Sequence, residues 1–357
     1  MKADAFATLG RNSSMSISTL TRVYLELAKA RLTALVVVTT AVGFVLASKG
    51  RFDLGAFCWT VIGTALTGAG ANGLNQWEER FLDLRMERTR SRPVPSNRIG
   101  GRHAFLWSLG TSAAGVAVLA LWVNPPTALL GFLTVSLYVL VYTPLKTRTT
   151  LCTLVGAVCG ALPPVMGWTG ATGTVGAGAW ILGAILFAWQ IPHSLALAWL
   201  YKTDYRKGGF RILPVVDDTG RLTCHTILLY CLALLPIGCS LSLIGVTGPI
   251  FAFGSIVLGL FLVSKGFHLQ RHRSNAQARS LFIGSLVYLS LLLLLMVADR
   301  SSATDPSTIA VAESIRNSPP NSPCFDSLDA SNPAVPKIED RRLEQNQKSL
   351  SHSPSNP

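Results

Sequence analysis

The sequence predicts an all-α membrane protein with about nine transmembrane helices and a cytoplasmic N-terminus. Three observations lead to this prediction. Hydrophobic residues make up 49% of the 357 residues and charged residues only 14%, whereas a soluble domain usually carries about 25% charge. Apolar segments long enough to cross a bilayer recur along the chain. The loops between these segments alternate between basic and nearly uncharged.

The apolar segments have the length of transmembrane helices, each of which needs about 20 mostly apolar residues. Several contain Gly and Pro, which helices in membranes tolerate. The predicted spans cover residues 32–48, 56–76, 104–123, 126–144, 150–168, 178–200, 223–244, 248–265 and 279–297.

Lys and Arg are concentrated in every second loop, which marks the cytoplasmic side of a membrane protein. The N-terminus and all the basic loops are therefore predicted on that side. Because the basic residues lie in short loops between spans, the net charge of +13 does not indicate nucleic-acid binding, and we expect no nucleic-acid partner. The basic loops are residues 80–102, 146–148, 202–221 and 265–279.

The two ends of the chain differ from its middle. Residues 1–23 are polar and are predicted to be an N-terminal tail, and no secretory signal is expected, because the first apolar run begins only near Leu32. Residues 24–300 would form one polytopic domain. Residues 301–357 are rich in Ser, Pro and Asn, and we expect them to be disordered. The seven cysteines form no CxxC pair, which favours buried thiols over disulfides or a zinc site.

The segment NQWEERFLDLRMERTRSRPVP, residues 75–95, holds the strongest candidates for chemistry. Asn75, Glu79 and Asp83 are four residues apart, so on one helix they share a face. Such oxygen ligands suit Mg²⁺, which takes one or two carboxylates and shares its shell with substrate phosphates. The alternative interpretation is a set of surface salt bridges among charges that only set the topology.

Two of the other basic loops, residues 146–148 and 202–221, are predicted on the same side of the membrane, so their side chains and those of residues 75–95 can meet in one cavity. Their basic groups would neutralise a diphosphate, the arginines as bidentate forks. The apolar bundle would suit a hydrocarbon tail. The additional candidates for catalysis are Lys146, Lys202 and Asp204, and those for substrate binding are Arg88, Arg92, Tyr142, Arg206 and His193.

Two of these candidates have structural alternatives. Tyr142 could belong to the belt of aromatic residues at a membrane boundary. His193 follows Pro192 inside a predicted span, where a histidine serves as an interhelical hydrogen-bonding group as often as a ligand.

Long strings of this sequence resemble a known family. NQWEERFLDLRMERTRSRPVPSNRI resembles the first signature of the UbiA-type intramembrane prenyltransferases, Asn-x-x-x-(Asp/Glu)-x-x-x-Asp. More narrowly, four strings resemble the protoheme IX farnesyltransferases, or heme O synthases, of that family. The resemblance covers residues 24–300. The four strings are MERTRSRPVP, VYTPLKTRTTLCTLVGAVCGALPPVMGW, WQIPHSLALAWLYKTDYRKGGFRILPVV and ARSLFIGSLVYLSLLLLLMVADR.

The resemblance implies nine helices around a central cavity. Because the N-terminal stretch carries Asp4 and few arginines, it matches a mitochondrial transit peptide poorly, and we expect a bacterial inner membrane in preference to a mitochondrial one. The resemblance also implies transfer of a farnesyl group from farnesyl diphosphate to a vinyl group of heme b, which gives heme O. Asn75, Glu79 and Asp83 would then form a Mg²⁺–diphosphate surface, and His193 would contact heme. Heme A synthase or oxidase assembly proteins are partners that the resemblance brings into consideration.

The sequence also departs from the family pattern, and other functions stay open. Phe81 stands where many relatives have an additional Asp, and Gly208 stands where the wider family has the second Asp after Asp204. The second departure is common among heme O synthases. The alternatives are a prenyltransferase acting on a quinone precursor or a chlorin, a polytopic transporter, and a membrane subunit that passes heme onward.

Overall fold

A computed structural model describes residues 17–48, 50 and 52–301 of the chain. The predicted C-terminal tail beyond Ser301 and the first 16 residues of the predicted N-terminal tail lie outside this part. In chain order the helices are α1 (Ile17–Leu27), α2 (Ala30–Ala47), α3 (Leu54–Glu78), α4 (Arg80–Asp83), α5 (Gly101–Trp122), α6 (Pro125–Ser136), α7 (Thr143–Leu145), α8 (Cys152–Thr172), α9 (Ala177–Leu200), α10 (Lys202–Lys207), α11 (Leu213–Val216), α12 (Arg221–Leu243), α13 (Pro249–His272) and α14 (Asn275–Ala298).

Nine helical segments of the described residues are long and apolar enough to cross a membrane. They are α2, α3, α5, the continuous unit α6–α7, α8, α9, α12, α13 and α14. Outside the helices, the described chain has one isolated β-bridge, between Thr247 and Arg300. The prediction of an all-α membrane protein with nine spans is confirmed.

Helix α13 is longer than the sequence predicted. Its span was expected to end at residue 265, yet the helix continues to His272. Hydropathy reports where a segment leaves the apolar layer, whereas helix length depends on backbone hydrogen bonds and capping. Arg273, in a left-handed conformation, ends the helix by donating its backbone N–H to the Leu269 carbonyl.

The outside of the bundle is apolar, as expected for a surface in contact with lipid. Large side chains such as Leu121, Leu140 and Phe253 are more than two-thirds exposed. A helix that is apolar on all sides is typical of a membrane span. Helix α1 differs, because it buries Val23 and Leu27 against the start of the bundle and exposes Arg22.

The spans form two neighbouring groups. In the first, α3 packs along α5, and α2 along α8. In the second, α9, α12, α13 and α14 pack together, and α8 with α9 joins the groups. Helices α2 and α8 approach so closely that a Cβ atom on Gly167 would lie 1.9 Å from the Thr40 carbonyl oxygen. Small residues at such crossings let membrane helices pack backbone to backbone.

The basic loops that follow α3, α7 and α9 lie together at one end of the bundle. The loop after α3 contacts the loop after α9, where Asp204 accepts the backbone N–H groups of Glu87 and Arg88. The loop after α9 also contacts the one after α7, because the Arg211 N–H donates to the Lys146 carbonyl at 2.7 Å. Side chains from distant parts of the sequence therefore meet there.

Candidate active site

A cavity of about 330 Å³ lies at this end of the bundle, between the spans and the basic loops. Its α9 side includes the apolar residues Leu197 and Ala198. The charged part of the lining contains four basic side chains and two carboxylates, so it carries an excess of positive charge that suits an anion. The charged residues are Lys29, Glu79, Asp83, Arg88, Arg92 and Lys146.

Asn75, Glu79 and Asp83 all line this cavity. The sequence analysis placed them on one helix, but α3 ends at Glu78 and α4 begins at Arg80. Backbone hydrogen bonds bridge the break, from the Glu79 N–H to the Asn75 carbonyl and from the Asp83 N–H to the Glu79 carbonyl. The four-residue periodicity therefore survives, and the three side chains keep one direction. Phe81 is 64% exposed and does not line the cavity.

Each carboxylate forms a buried ion pair. Lys146 Nζ donates to Glu79 Oε1 at 2.7 Å, and Arg92 Nη1 donates to Asp83 Oδ2 at 2.8 Å. The side chains of Glu79 and Asp83 are only 6% and 0% exposed. Surface salt bridges, the alternative interpretation from the sequence, therefore do not describe these carboxylates. Taking such groups out of water costs free energy that an opposite charge must offset.

Asp83 is not fully satisfied by its partner. Its Oδ1 atom is buried without a hydrogen bond among the described residues. Burial raises the pKa of Asp83, and the neighbouring Arg92 offsets this only in part. A cation bound to the free oxygen would remove both deficits. Two carboxylates and one carboxamide match the hard-oxygen preference of Mg²⁺.

Lys29 belongs to this site and was missed by the sequence analysis. Its Nζ donates to Asn75 Oδ1 at 2.8 Å, and Asn75 Nδ2 donates to Thr143 Oγ1 at 3.1 Å. Burial, together with repulsion from Arg92 and Lys146, lowers the pKa of Lys29 to about 7. The available signal was its position: a basic residue directly before the first span, on the same side as the basic loops.

A π-helical segment, Leu137–Tyr142, joins α6 to α7 and shapes the next wall. Such wider turns are common at functional sites. Tyr138 and Tyr142 line the cavity, and Lys146 Nζ lies 4.4 Å from the centroid of the Tyr142 ring. A Cβ atom on Gly156 would lie 2.7 Å from the Tyr142 ring, so glycine is what lets the ring rest on α8. Tyr142 therefore faces the cavity, in contrast to a boundary aromatic.

The charge of Lys146 is stabilised by its ion-pair partner. Burial lowers the pKa of Lys146, but the neighbouring Glu79 carboxylate outweighs burial and raises this pKa.

The loop after α9 lines the cavity with Tyr205, Phe210 and Ile212, and not with the three charged residues that the sequence analysis named. Arg88, which does line the cavity, donates to the Tyr205 hydroxyl at 2.9 Å and stacks over Tyr201. Asp204 points elsewhere: Oδ1 accepts the Glu87 N–H at 2.9 Å and Oδ2 the Arg88 N–H at 3.1 Å. Asp204 therefore holds the first loop in place.

Lys202 and Arg206 are not in the described cavity lining either. Lys202 Nζ donates to the Asp217 carbonyl at 3.4 Å, and Arg206 Nη2 donates to the Val215 carbonyl at 3.1 Å. Both brace the turn that leads to α12.

His193 forms an interhelical hydrogen bond, the first of the two interpretations given to it. Its Nδ1 shares a 2.8 Å hydrogen bond with Ser285 Oγ on α14, which links two helices. The ring is stacked between Trp189, at 4.7 Å, and Phe282, at 4.8 Å between centroids. Trp189 and Phe282 stack on the His193 ring, and His193 is the member of this stack that lines the cavity.

Comparison with known proteins agrees with this geometry. A family model described as the UbiA prenyltransferase family matches residues 36–292. The chain belongs to the UbiA prenyltransferase family. The resemblance noted in its motifs is thereby confirmed.

Two curated relatives of this UbiA chain carry the same name. The chain is 40% identical over 288 residues to the protoheme IX farnesyltransferase of Solibacter usitatus (strain Ellin6076), and this alignment covers 78% of the chain and 99% of that protein. The chain is 42% identical over 272 residues to the mitochondrial protoheme IX farnesyltransferase of Homo sapiens, and this alignment covers 76% of the chain and 61% of that protein.

A solved UbiA structure shares the fold. A UbiA homolog from Archaeoglobus fulgidus, bound to DMAPP and Mg²⁺, aligns with a TM-score of 0.57 at 16% sequence identity. The alignment covers 77% of this chain and 99% of that one. At this identity the likeness establishes the architecture of the bundle.

Proposed function

We propose that this protein transfers a farnesyl group from farnesyl diphosphate to a vinyl group of heme b and so forms heme O. The observation that carries the proposal is the meeting of two buried carboxylates and four basic side chains in the lining of one cavity within the bundle of apolar spans. The acceptor is inferred from the relatives named protoheme IX farnesyltransferase. Those names do not favour a quinone precursor, a chlorin or a transported solute.

The diphosphate would bind at the charged end of the cavity. Glu79 and Asp83 are the residues that would hold Mg²⁺, with the side-chain carboxamide oxygen of Asn75 beside them. The bound ion would supply positive charge that stabilises the departing diphosphate. Lys146, Arg88 and Arg92 would contact the remaining diphosphate oxygens, because Arg and Lys form strong charge-assisted hydrogen bonds to phosphate.

The chemistry then requires few protein groups. The bond between the farnesyl C1 and the diphosphate oxygen breaks, and its electron pair leaves with the diphosphate. The π electrons of the vinyl group form the new carbon–carbon bond with the allylic cation. Water captures the cation left beside the porphyrin and loses a proton, which leaves the hydroxyl group of heme O. The basic residues act by stabilising charge that develops on the leaving group.

The acceptor would lie on the α9 side of the cavity. His193, which lines the cavity and is held by stacking with Trp189 and Phe282, would contact the porphyrin. The apolar residues Leu197 and Ala198 nearby suit the hydrocarbon chain. We place the charged end on the cytoplasmic side of a bacterial inner membrane, supported by the alternation of loop charge.

The test is direct. Membranes that contain the protein are incubated with heme b, farnesyl diphosphate and Mg²⁺, and heme O is sought by chromatography and mass spectrometry. We expect heme O from the unmodified protein and from the Glu78→Gln variant, since Glu78 is a neighbouring carboxylate outside the described cavity lining. Asp83→Asn should reduce turnover about 100-fold or more, the usual cost of losing one preorganised electrostatic contact.

The proposed function would be contradicted by the absence of heme O when a known heme O synthase works in the same membranes. Near-normal turnover by Asp83→Asn at limiting Mg²⁺ would contradict only the assignment of the metal-holding residues.

A further inference from the structure

The turn between α1 and α2 is built around a lysine in an unfavourable backbone conformation. Lys29 has φ of 47° and ψ of 55°, the left-handed region that glycine and asparagine occupy most readily. The residue directly precedes α2, and its side chain lines the cavity. Backbone strain at a residue that is not glycine persists only when the surrounding structure enforces it, and it is concentrated at functional sites.

Helix α3 enforces this conformation. Gln76 Nε2 donates to the carbonyls of Glu26 and Leu27, at 3.0 and 2.8 Å. Asn72 Nδ2 donates to the Ala28 carbonyl at 3.4 Å. Three successive carbonyls before Lys29 are thus held by two amide side chains of α3, the helix that also carries Asn75. The position of Lys29 relative to the proposed metal-holding residues is therefore fixed.

The side chain of Lys29 is placed for a ligand and not for topology. A lysine that only marks the cytoplasmic side extends its ammonium group to water. Lys29 instead donates to Asn75 Oδ1, on a residue that is 1% exposed. Together with Lys146 on Glu79 and Arg92 on Asp83, it completes a regular arrangement: each of the three α3–α4 oxygen ligands has one basic partner, and each partner comes from a different segment.

We propose that Lys29 binds the diphosphate group of the prenyl donor as a fourth basic contact beside Lys146, Arg88 and Arg92. Asn72 and Gln76 are its positioning residues, since they hold the turn and do not touch the donor. The inference rests on the proposed function, which supplies the diphosphate. It explains why an excess of positive charge is gathered around two carboxylates.

The test measures binding without turnover. The purified full-length protein is titrated with inorganic diphosphate in the presence of Mg²⁺, by isothermal calorimetry, for the parent and for Lys29→Gly, Lys29→Arg and Lys207→Met. Glycine relieves the left-handed strain, so Lys29→Gly removes the side chain while favouring the backbone. Lys207→Met removes one charge from an exposed residue of the neighbouring loop as the matched control.

We expect Lys29→Gly to raise the Kd for diphosphate about 10- to 100-fold, the worth of one charge-assisted hydrogen bond. The KM for farnesyl diphosphate should rise in parallel, whereas heme b binding, followed by absorbance, stays unchanged. Lys29→Arg should recover most of the affinity, and Lys207→Met should match the parent.

Unchanged diphosphate affinity in Lys29→Gly would overturn the inference, even if heme O is formed normally. Equal loss of heme b binding would also overturn it, because a general disturbance of the turn would then account for the result. If no variant forms heme O but Lys29→Gly still weakens diphosphate binding, the proposed function fails and the role of Lys29 stands.

Discussion

Asp204 provides a sharp distinction between two roles, a metal ligand and a brace for a loop. The sequence analysis counted it among the catalytic residues. In the structure its two carboxylate oxygens accept the N–H groups of Glu87 and Arg88, which places Arg88 at the cavity. We predict that Asp204→Asn weakens catalysis moderately and leaves the dependence on Mg²⁺ unchanged.

The magnitude follows from the hydrogen bonds. Asparagine keeps one acceptor oxygen and turns an NH₂ group toward the second backbone N–H, so one of the two hydrogen bonds is lost and the other loses its charge assistance. A hydrogen bond to a charged group is worth about 1.5–3 kcal/mol, and partial exposure of Asp204 reduces this to about 1–2 kcal/mol. If that free energy is taken from the ordered loop, kcat/KM should fall about 5- to 30-fold. Loss of a metal ligand would cost more and would raise the Mg²⁺ requirement.

The assay combines kinetics with limited proteolysis. Heme O formation is measured over a range of Mg²⁺ concentrations, and trypsin cleavage is followed in the first basic loop, where Arg90 is exposed. Asp204→Asn should be cleaved faster than the parent. Asp218→Asn serves as the control, because Asp218 lies in the same region with a side chain that is 88% exposed. A raised Mg²⁺ requirement with unchanged trypsin sensitivity would refute the bracing role.

Two further predictions concern packing and pH. Gly156→Ala forces the Tyr142 ring away from α8, so it should lower the free energy of unfolding by about 1–3 kcal/mol and should also reduce turnover. In the same thermal unfolding assay Gly110→Ala should be neutral, because its new methyl group meets no atom within 4 Å. Equal behaviour of the two variants would contradict this packing. Burial raises the pKa of Asp217, but hydrogen bonds from Thr223 and Thr219 outweigh burial and lower this pKa below 3.8. The contribution of Asp217 to stability is therefore complete above about pH 4 and is lost as pH falls through the lowered pKa. Asp217→Asn should therefore flatten the fall of Tm with pH in this acidic range, and an unchanged slope would remove Asp217 as its source.

The fold could be predicted because its determinants are written locally. Each span carries its own apolar length, and each loop its own charge, so nine helices and their alternation follow without knowledge of tertiary contacts. The end of α13 was the exception. Lys265 and the polar residues after it suggested a loop, yet the helix continues to His272, since hydrogen bonding continues beyond the apolar layer.

The site was predictable only where its residues are close in sequence. The four-residue spacing of Asn75, Glu79 and Asp83 indicated a common direction, and the structure places all three in one cavity. Their partners depend on tertiary packing. Lys29 is 46 residues from Asn75, and Lys146 is 67 residues from Glu79. The role of Asp204 was hidden for the same reason, because no sequence pattern shows where the backbone N–H groups of a distant loop will lie.

The hydrogen bond between His193 and Ser285 joins two helices, α9 and α14, that are synthesised at different times. The segments that form the charged end of the cavity, from Lys29 to Tyr205, precede α12, whereas Phe282 and Ser285, which orient the His193 ring, lie on the last span. During synthesis the charged part of the cavity lining can therefore assemble before Phe282 stacks on the His193 ring. A chain that stops before α14 would retain this charged part and lose both the hydrogen-bond partner of His193 Nδ1 and one of the two rings stacked on it.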